Sequence, residues 1–272
     1  IMRKKGNTVL AGLIICLLLV FLAAAGKLFG AYLKYQKGDV SYEKLQEYVQ
    51  EPEEEESPES EKEKEEPKNR YLEIDFAGLK AVNPDVIAWI QIPALDISYP
   101  VVQGKDNAYY LHHLFSGESN INGSIFVDCH NNAGCIFLDM MNSPDFTDYN
   151  SILYGHNMKN GSMFGTLDKY QDKELFEQHP EFYLYLPDKI LKYRIFSCYA
   201  GRTGSEGYRY HFPEAEDFQT FLDTVSSYRD YDTGTELSAT DRIVTLSTCV
   251  NSRRNYRYLV HGKLSSEIIT EE

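Results

Sequence analysis

Apolar positions along the chain fall into three textures. From Thr8 to Gly26 (TVLAGLIICLLLVFLAAAG) every residue is uncharged. The run is about long enough to cross a bilayer as a helix, which takes roughly 20 residues. From Glu51 to Glu66 (EPEEEESPESEKEKEE) no apolar side chain occurs at all. Beyond Tyr71 the pattern becomes short β-rich runs separated by turn residues. Ala88–Ile92, Ile97–Val102, Ser124–Val127, Cys135–Leu138, Ser151–Tyr154, Glu181–Leu186, Leu191–Tyr199, Arg242–Thr248 and Tyr258–Leu264 read as strands. Helical periodicity is found over Asn107–Leu114, Phe164–His179 and Glu214–Tyr228, the last with Phe218, Phe221, Leu222 and Val225 on one face and Pro213 near its start. A short helix over Phe76–Ala81 ends ahead of Asn83-Pro84, and a helical patch over Tyr35–Gln50 links the first two textures. Eight or nine short strands with few helices predict a mainly β fold, a closed or nearly closed barrel with peripheral helices; strands and helices do not alternate as in a doubly wound sheet.

The pattern divides the 272 residues into a short N-terminus (1–7), an apolar signal-anchor (8–26), a juxtamembrane helix with an acidic linker (27–70) and one folded domain (71–272). Arg3-Lys4-Lys5 before the apolar run favours a cytoplasmic N-terminus and an extracellular domain on a single-pass protein, although Lys27, Lys34 and Lys37 reduce the charge asymmetry. Ala23-Ala24-Ala25 also suits a cleaved signal peptide; either way the bulk is exported. The acidic run holds ten Glu and two Lys, a net of −8 out of the formal −14, and reads as a disordered, solvated stalk. The folded part is only mildly acidic. With no basic stripe, nucleic acid is not an expected partner.

Of five cysteines, Cys16 falls in the apolar run and Cys198 in a strand, where it reads as a small buried hydrophobe. Cys129 and Cys135 belong to two near copies, Gly123–Cys129 (GSIFVDC) and Gly134–Met140 (GCIFLDM), of which only one is expected to fill the structural slot; a disulfide between the two thiols is left open. No Cys/His cluster with metal-ligand spacing occurs, so neither a metal nor another cofactor is expected. Cys249 differs from the rest. It ends the run Arg242–Thr248 and is followed by the cationic loop Asn251-Ser252-Arg253-Arg254-Asn255, a setting that favours thiolate. His156, in the Gly155-His156-Asn157 turn after another apolar strand, is the matching base; the other histidines lie on helical stretches, in the last strand, in the duplication or before Pro213.

Thr245-Leu246-Ser247-Thr248-Cys249 with Arg257 before the next strand, Ile152–Met158 (ILYGHNM) followed by Gly161-Ser162-Met163-Phe164, and Asn83–Ile90 with Tyr99–Gln103 together resemble the signature blocks of sortases, most closely class B. The resemblance spans about Tyr71 to Leu264. It implies an eight-stranded sortase-type β-barrel with a long helix before the catalytic strand, for which Glu214–Tyr228 is the candidate. It also implies a membrane-anchored cysteine transpeptidase of Gram-positive bacteria that cuts a sorting motif, of Asn/Ser-Pro-x-Thr type in this class, and joins the new carboxyl end to a peptidoglycan-precursor or pilin amine. The family's catalytic roles fall on His156, Cys249 and Arg257. Ser247, Thr248 and Val250 are the expected substrate-binding positions. Arg253 and Arg254 rival Arg257, which is preferred because it directly precedes the apolar strand. The pilus-polymerising class carries an Asp-Pro-aromatic lid that is not found here, which favours anchoring. A papain-like enzyme would place Cys before His, and a non-catalytic tethered binding module would give no reason for this Cys, His and Arg.

Overall fold

The computed structural model describes residues 2–52, 71–118, 134–250, 252–253 and 255–270. They form two compact units, Ile1–Val40 and Ser41–Glu272. The first consists of most of helix α1 (Met2–Glu43), in which Gly12–Gly30 has a mean hydropathy of 2.5 and none of it buried, as a candidate membrane span. This window starts and ends slightly later than Thr8–Gly26 because Leu28 and Phe29 continue the apolar character past the single charge of Lys27. No proline interrupts α1, so it runs through much of the separate patch expected at Tyr35–Gln50. That patch ends in a 3₁₀ turn (Lys44–Tyr48) and a short strand, β1 (Val49–Gln50).

In the second unit β1 pairs with β2 (Glu73–Ile74) across the acidic run, which lies outside the described residues. Helix α2 (Phe76–Val82) starts at Asp75, whose Oδ1 accepts the Gly78 N–H at 2.8 Å, an N-cap that meets one of the unpaired first-turn donors. The strands β3 (Val86–Ile92), β4 (Ile97–Val102), β5 (Ile136–Leu138), β6 (Asn150–Tyr154), β7 (Glu181–Tyr185), β8 (Lys189–Arg202), β9 (Ile243–Cys249) and β10 (Tyr256–Ile269) close a barrel in the order β10-β8-β7-β3-β4-β5-β6-β9. Closure leaves these eight strands no open edge. β4–β5 and β6–β9 are parallel and the other barrel pairs antiparallel.

The second of the two near copies supplies β5; the first, including the strand expected at Ser124–Val127 and Cys129, lies outside the described residues. Two expected helices are shorter than their periodicity suggested. Phe164–His179 is broken into a 3₁₀ turn (Leu167–Gln171) and helix α3 (Lys173–Gln178), because Asp172 adopts an extended conformation and caps the new helix by accepting the Glu174 N–H. Asn107–Leu114 holds only the 3₁₀ turn Tyr109–Leu111, where Asp106 Oδ1 takes the N–H groups of Ala108 and Tyr109 and tightens the chain. The expected amphipathic helix is present as α4 (Ala215–Ser227). Its Phe218, Phe221, Leu222 and Val225 pack with Phe196, Tyr199, Ile243 and Leu259 of β8, β9 and β10, which ties the helix to the strands that carry the site.

Candidate active site

Strand direction gathers the site. β6 and β9 run parallel side by side, so both end at the same rim of the barrel. β10 is antiparallel to β9 and starts at that rim, with Arg257 directly opposite Cys249. His156 follows β6, Cys249 ends β9 and Arg257 opens β10. All three line one cleft of about 470 Å³, together with Ser247 and Thr248.

The His156 turn is held tightly. Gly155 donates its N–H to Ser247 O at 3.1 Å, and Phe164 donates to His156 O at 3.0 Å. A side chain at Gly155 would collide with the Phe164 ring, which explains the glycine. Asn157 is buried and donates from Nδ2 to the main-chain oxygen of Cys249 at 2.6 Å, linking the turn to the end of β9. His156 Nε2 lies 3.0 Å from Leu111 O. A carbonyl only accepts, so Nε2 carries the proton in this contact.

The guanidinium of Arg257 is fixed by Nη1 donating to Tyr256 O at 3.0 Å. Arg253 instead sits over the Tyr256 ring at 5.1 Å and is not among the residues lining the cleft, while Arg254 lies outside the described residues. Ser247 shares a 2.8 Å hydrogen bond with the Tyr208 hydroxyl. Val250 does not line the cleft, and its N–H donates to Tyr256 O at 3.2 Å. The Oγ1 of Thr248 is buried with no hydrogen-bond partner among the described residues.

Other cleft residues carried no local signal in the sequence. Tyr208 follows β8; burial pushes its hydroxyl up to about 12, against the pull of the Ser247 hydrogen bond and the nearby Arg257 charge, so it stays protonated. Asp139 accepts from Asn107 Nδ2 and from the Tyr154 hydroxyl, each at 2.9 Å, and from Met141 N–H at 3.0 Å. The phenol of Tyr154 is pushed well above its ordinary value by burial and then by the Asp139 charge. Phe137 and Tyr154 stack at 5.2 Å, forming an aromatic wall. Cys135 and Cys198 are buried thiols raised to about 12 by desolvation, the state expected of inert core cysteines. His261 is fully buried and held down at about 3 by desolvation. It is satisfied between Thr245 Oγ1 at 2.8 Å and Tyr199 OH at 3.3 Å, which makes it part of the core and not a base.

The closed eight-stranded barrel thus holds Cys249, His156 and Arg257 at one rim. The sortase domain family model matches residues 90–265. A Listeria monocytogenes sortase B is 38% identical over 68% of this chain and 72% of its own length. A Staphylococcus aureus sortase B is 29% identical over 96% and 97%. Among solved structures, Bacillus anthracis sortase B in complex with AAEK1 superposes with a TM-score of 0.68 at 29% identity, covering 88% of this chain and 100% of that one. A Staphylococcus aureus sortase B–substrate complex gives 0.62 at 29%, covering 72% and 85%. The chain therefore belongs to the sortase family, whose members are cysteine transpeptidases. Its relatives place it in class B.

Proposed function

We propose that this protein cleaves a C-terminal sorting motif on exported proteins through a thioester at Cys249 and transfers the acyl group to a cell-wall amine. The observation that carries the reading is the convergence of Cys249, His156 and Arg257 on one cleft. Cys249, as thiolate, attacks the scissile carbonyl carbon and forms the C–S bond. Protonated His156 gives a proton to the departing amine, because an amide nitrogen leaves poorly without one. The incoming amine then loses a proton to His156 and displaces the thiolate. Arg257 supplies hydrogen bonds from its guanidinium to the oxyanion of each tetrahedral intermediate. The Val250 N–H, already bonded to Tyr256 O, is not a donor for that oxyanion, which leaves more of the task to Arg257. Ser247 and Thr248 contact the bound peptide from the cleft floor. The motif of Asn/Ser-Pro-x-Thr type expected from the class is the substrate to test first.

The apolar helix is compatible with a membrane anchor. With Arg3-Lys4-Lys5 taken as cytoplasmic, this reading puts the barrel on the outer face of a Gram-positive membrane, within reach of a peptidoglycan-precursor amine as acceptor. The test is a set of motif peptides incubated with the enzyme and a small amine. Cys249→Ala is expected to give no product and no thioester by mass spectrometry, and His156→Ala and Arg257→Ala to lower turnover by at least about a hundredfold with the fold intact. Thioester formation by the Cys249→Ala variant would refute the assignment of the nucleophile.

A further inference from the structure

The imidazole of His156 rests on a seat assembled from distant parts of the chain. Leu111 O accepts from its Nε2. Gly134 lies so close that a Cβ there would come within 2.8 Å of the same nitrogen and would also collide with Tyr110 O. These two segments are joined by Cys135 N–H donating to Tyr110 O at 3.1 Å. A third segment holds them from behind. The Tyr42 hydroxyl reaches Gly134 O at 2.9 Å and Cys135 Sγ at 3.3 Å, and the side chain is 5% exposed. Its ring meets Tyr99 of β4 edge-on at 5.5 Å, and Gln46 Nε2 donates to Ser98 O at 2.9 Å, so the segment is fastened to the barrel independently of Gly134.

We infer that Tyr42 is a positioning residue for His156: its hydroxyl sets the place of the Gly134 carbonyl and thereby the position of the imidazole that packs on Gly134. The stretch from the end of α1, past the candidate span, to the acidic run is then a working part of the catalytic unit. This rests on the assignment of His156 as the acid and base made above. A hydroxyl on a fixed ring suits the task, because the ring is buried against β4 and the Gly134 carbonyl is the nearer of the two acceptors its donor meets. A small displacement of a proton-transfer group is enough to slow an enzyme strongly.

The experiment uses the full chain in detergent and measures turnover of a motif peptide, per folded enzyme, across pH. Tyr42→Phe removes only the hydroxyl. It is expected to lower kcat about tenfold with KM within about twofold and to alter the shape of the pH profile of kcat, with little change in Tm. Tyr42→Ala should lose the same factor in kcat and lose stability as well. If the ring alone mattered, Phe would restore what Ala removes; wild-type kcat and pH profile in Tyr42→Phe would overturn the inference. Gly134→Ala, which presses a methyl on Nε2, is expected to disturb the same profile with Tyr42 in place. His156→Ala separates the two assignments. If it abolishes turnover while Tyr42→Phe behaves as wild type, only the role of Tyr42 fails; if it remains active, the role of His156 fails and that of Tyr42 with it.

Discussion

Asn157 bonds the carbonyl oxygen of Cys249 at 2.6 Å, so a buried amide adds to the Gly155–Ser247 bond in holding the turn that carries the imidazole to the strand that carries the thiol. Asn157→Ala is expected to lower kcat/KM by about 10- to 100-fold, since loss of the link lets the two groups drift apart. Asn157→Asp should be worse, because it sets an acceptor against an acceptor; steady-state kinetics and the rate of Cys249 alkylation check both. His261 offers a second test. Burial depresses its folded value to about 3, below the unfolded value of about 6.5. In that window the unfolded chain binds the extra proton, so the contribution to stability is complete above the unfolded value and is lost as pH falls toward 3. Denaturation midpoints measured between pH 7 and 4 are expected to drop, with this one group accounting for up to about 1.4 kcal/mol per pH unit, and a His261→Gln variant should show a shallower fall.

At the scale of elements, α4 backs the strands that end at the cleft. Phe221 is fully buried between the helix and the sheet, in ring contact with Phe212 and Phe218. Phe221→Ala is expected to cost about 3–5 kcal/mol of unfolding free energy in denaturant titrations, from lost transfer energy plus the cavity left behind. The β6–β9 pair matters for a different reason: two parallel neighbours must end at the same side of a barrel, which is what brings His156 and Cys249 to one rim although they are far apart in sequence. The second near copy supplies β5 and with it Gly134 at the imidazole and Asp139 at the cleft wall, a reason for that copy to keep a glycine ahead of its strand.

At the scale of the whole molecule, the unit Ser41–Glu272 holds the barrel, the cleft and Tyr42, while Ile1–Val40 holds the candidate span. Removing residues up to Val40 is expected to move the protein from the membrane to the soluble fraction with turnover close to that of the full chain. Removal up to Arg70 also deletes Tyr42 and β1 and should lower kcat by about tenfold; fractionation and kinetics on the two truncations decide this. The eight barrel strands, the apolar helix and α4 were legible in the sequence because alternation and helical periodicity are local consequences of which face is buried. The two shortened helices were not, since a single capping aspartate or an aspartate-bound turn overrides weak periodicity within a few residues. Cys249 and His156 stood out as a strand-end thiol and a glycine-flanked turn histidine, and Arg257 by its place before the last strand. Tyr42, Asn157, Asp139 and Tyr208 had no such mark in their neighbours. What each does depends on partners that only chain closure supplies: Tyr42 meets Gly134 and Asn157 meets Cys249 across 92 positions in each case. The sequence by itself determined the segments and the chemistry they carry, because those follow from near neighbours; the seat beneath the imidazole was decided by the barrel, because its atoms come together only when the strands do.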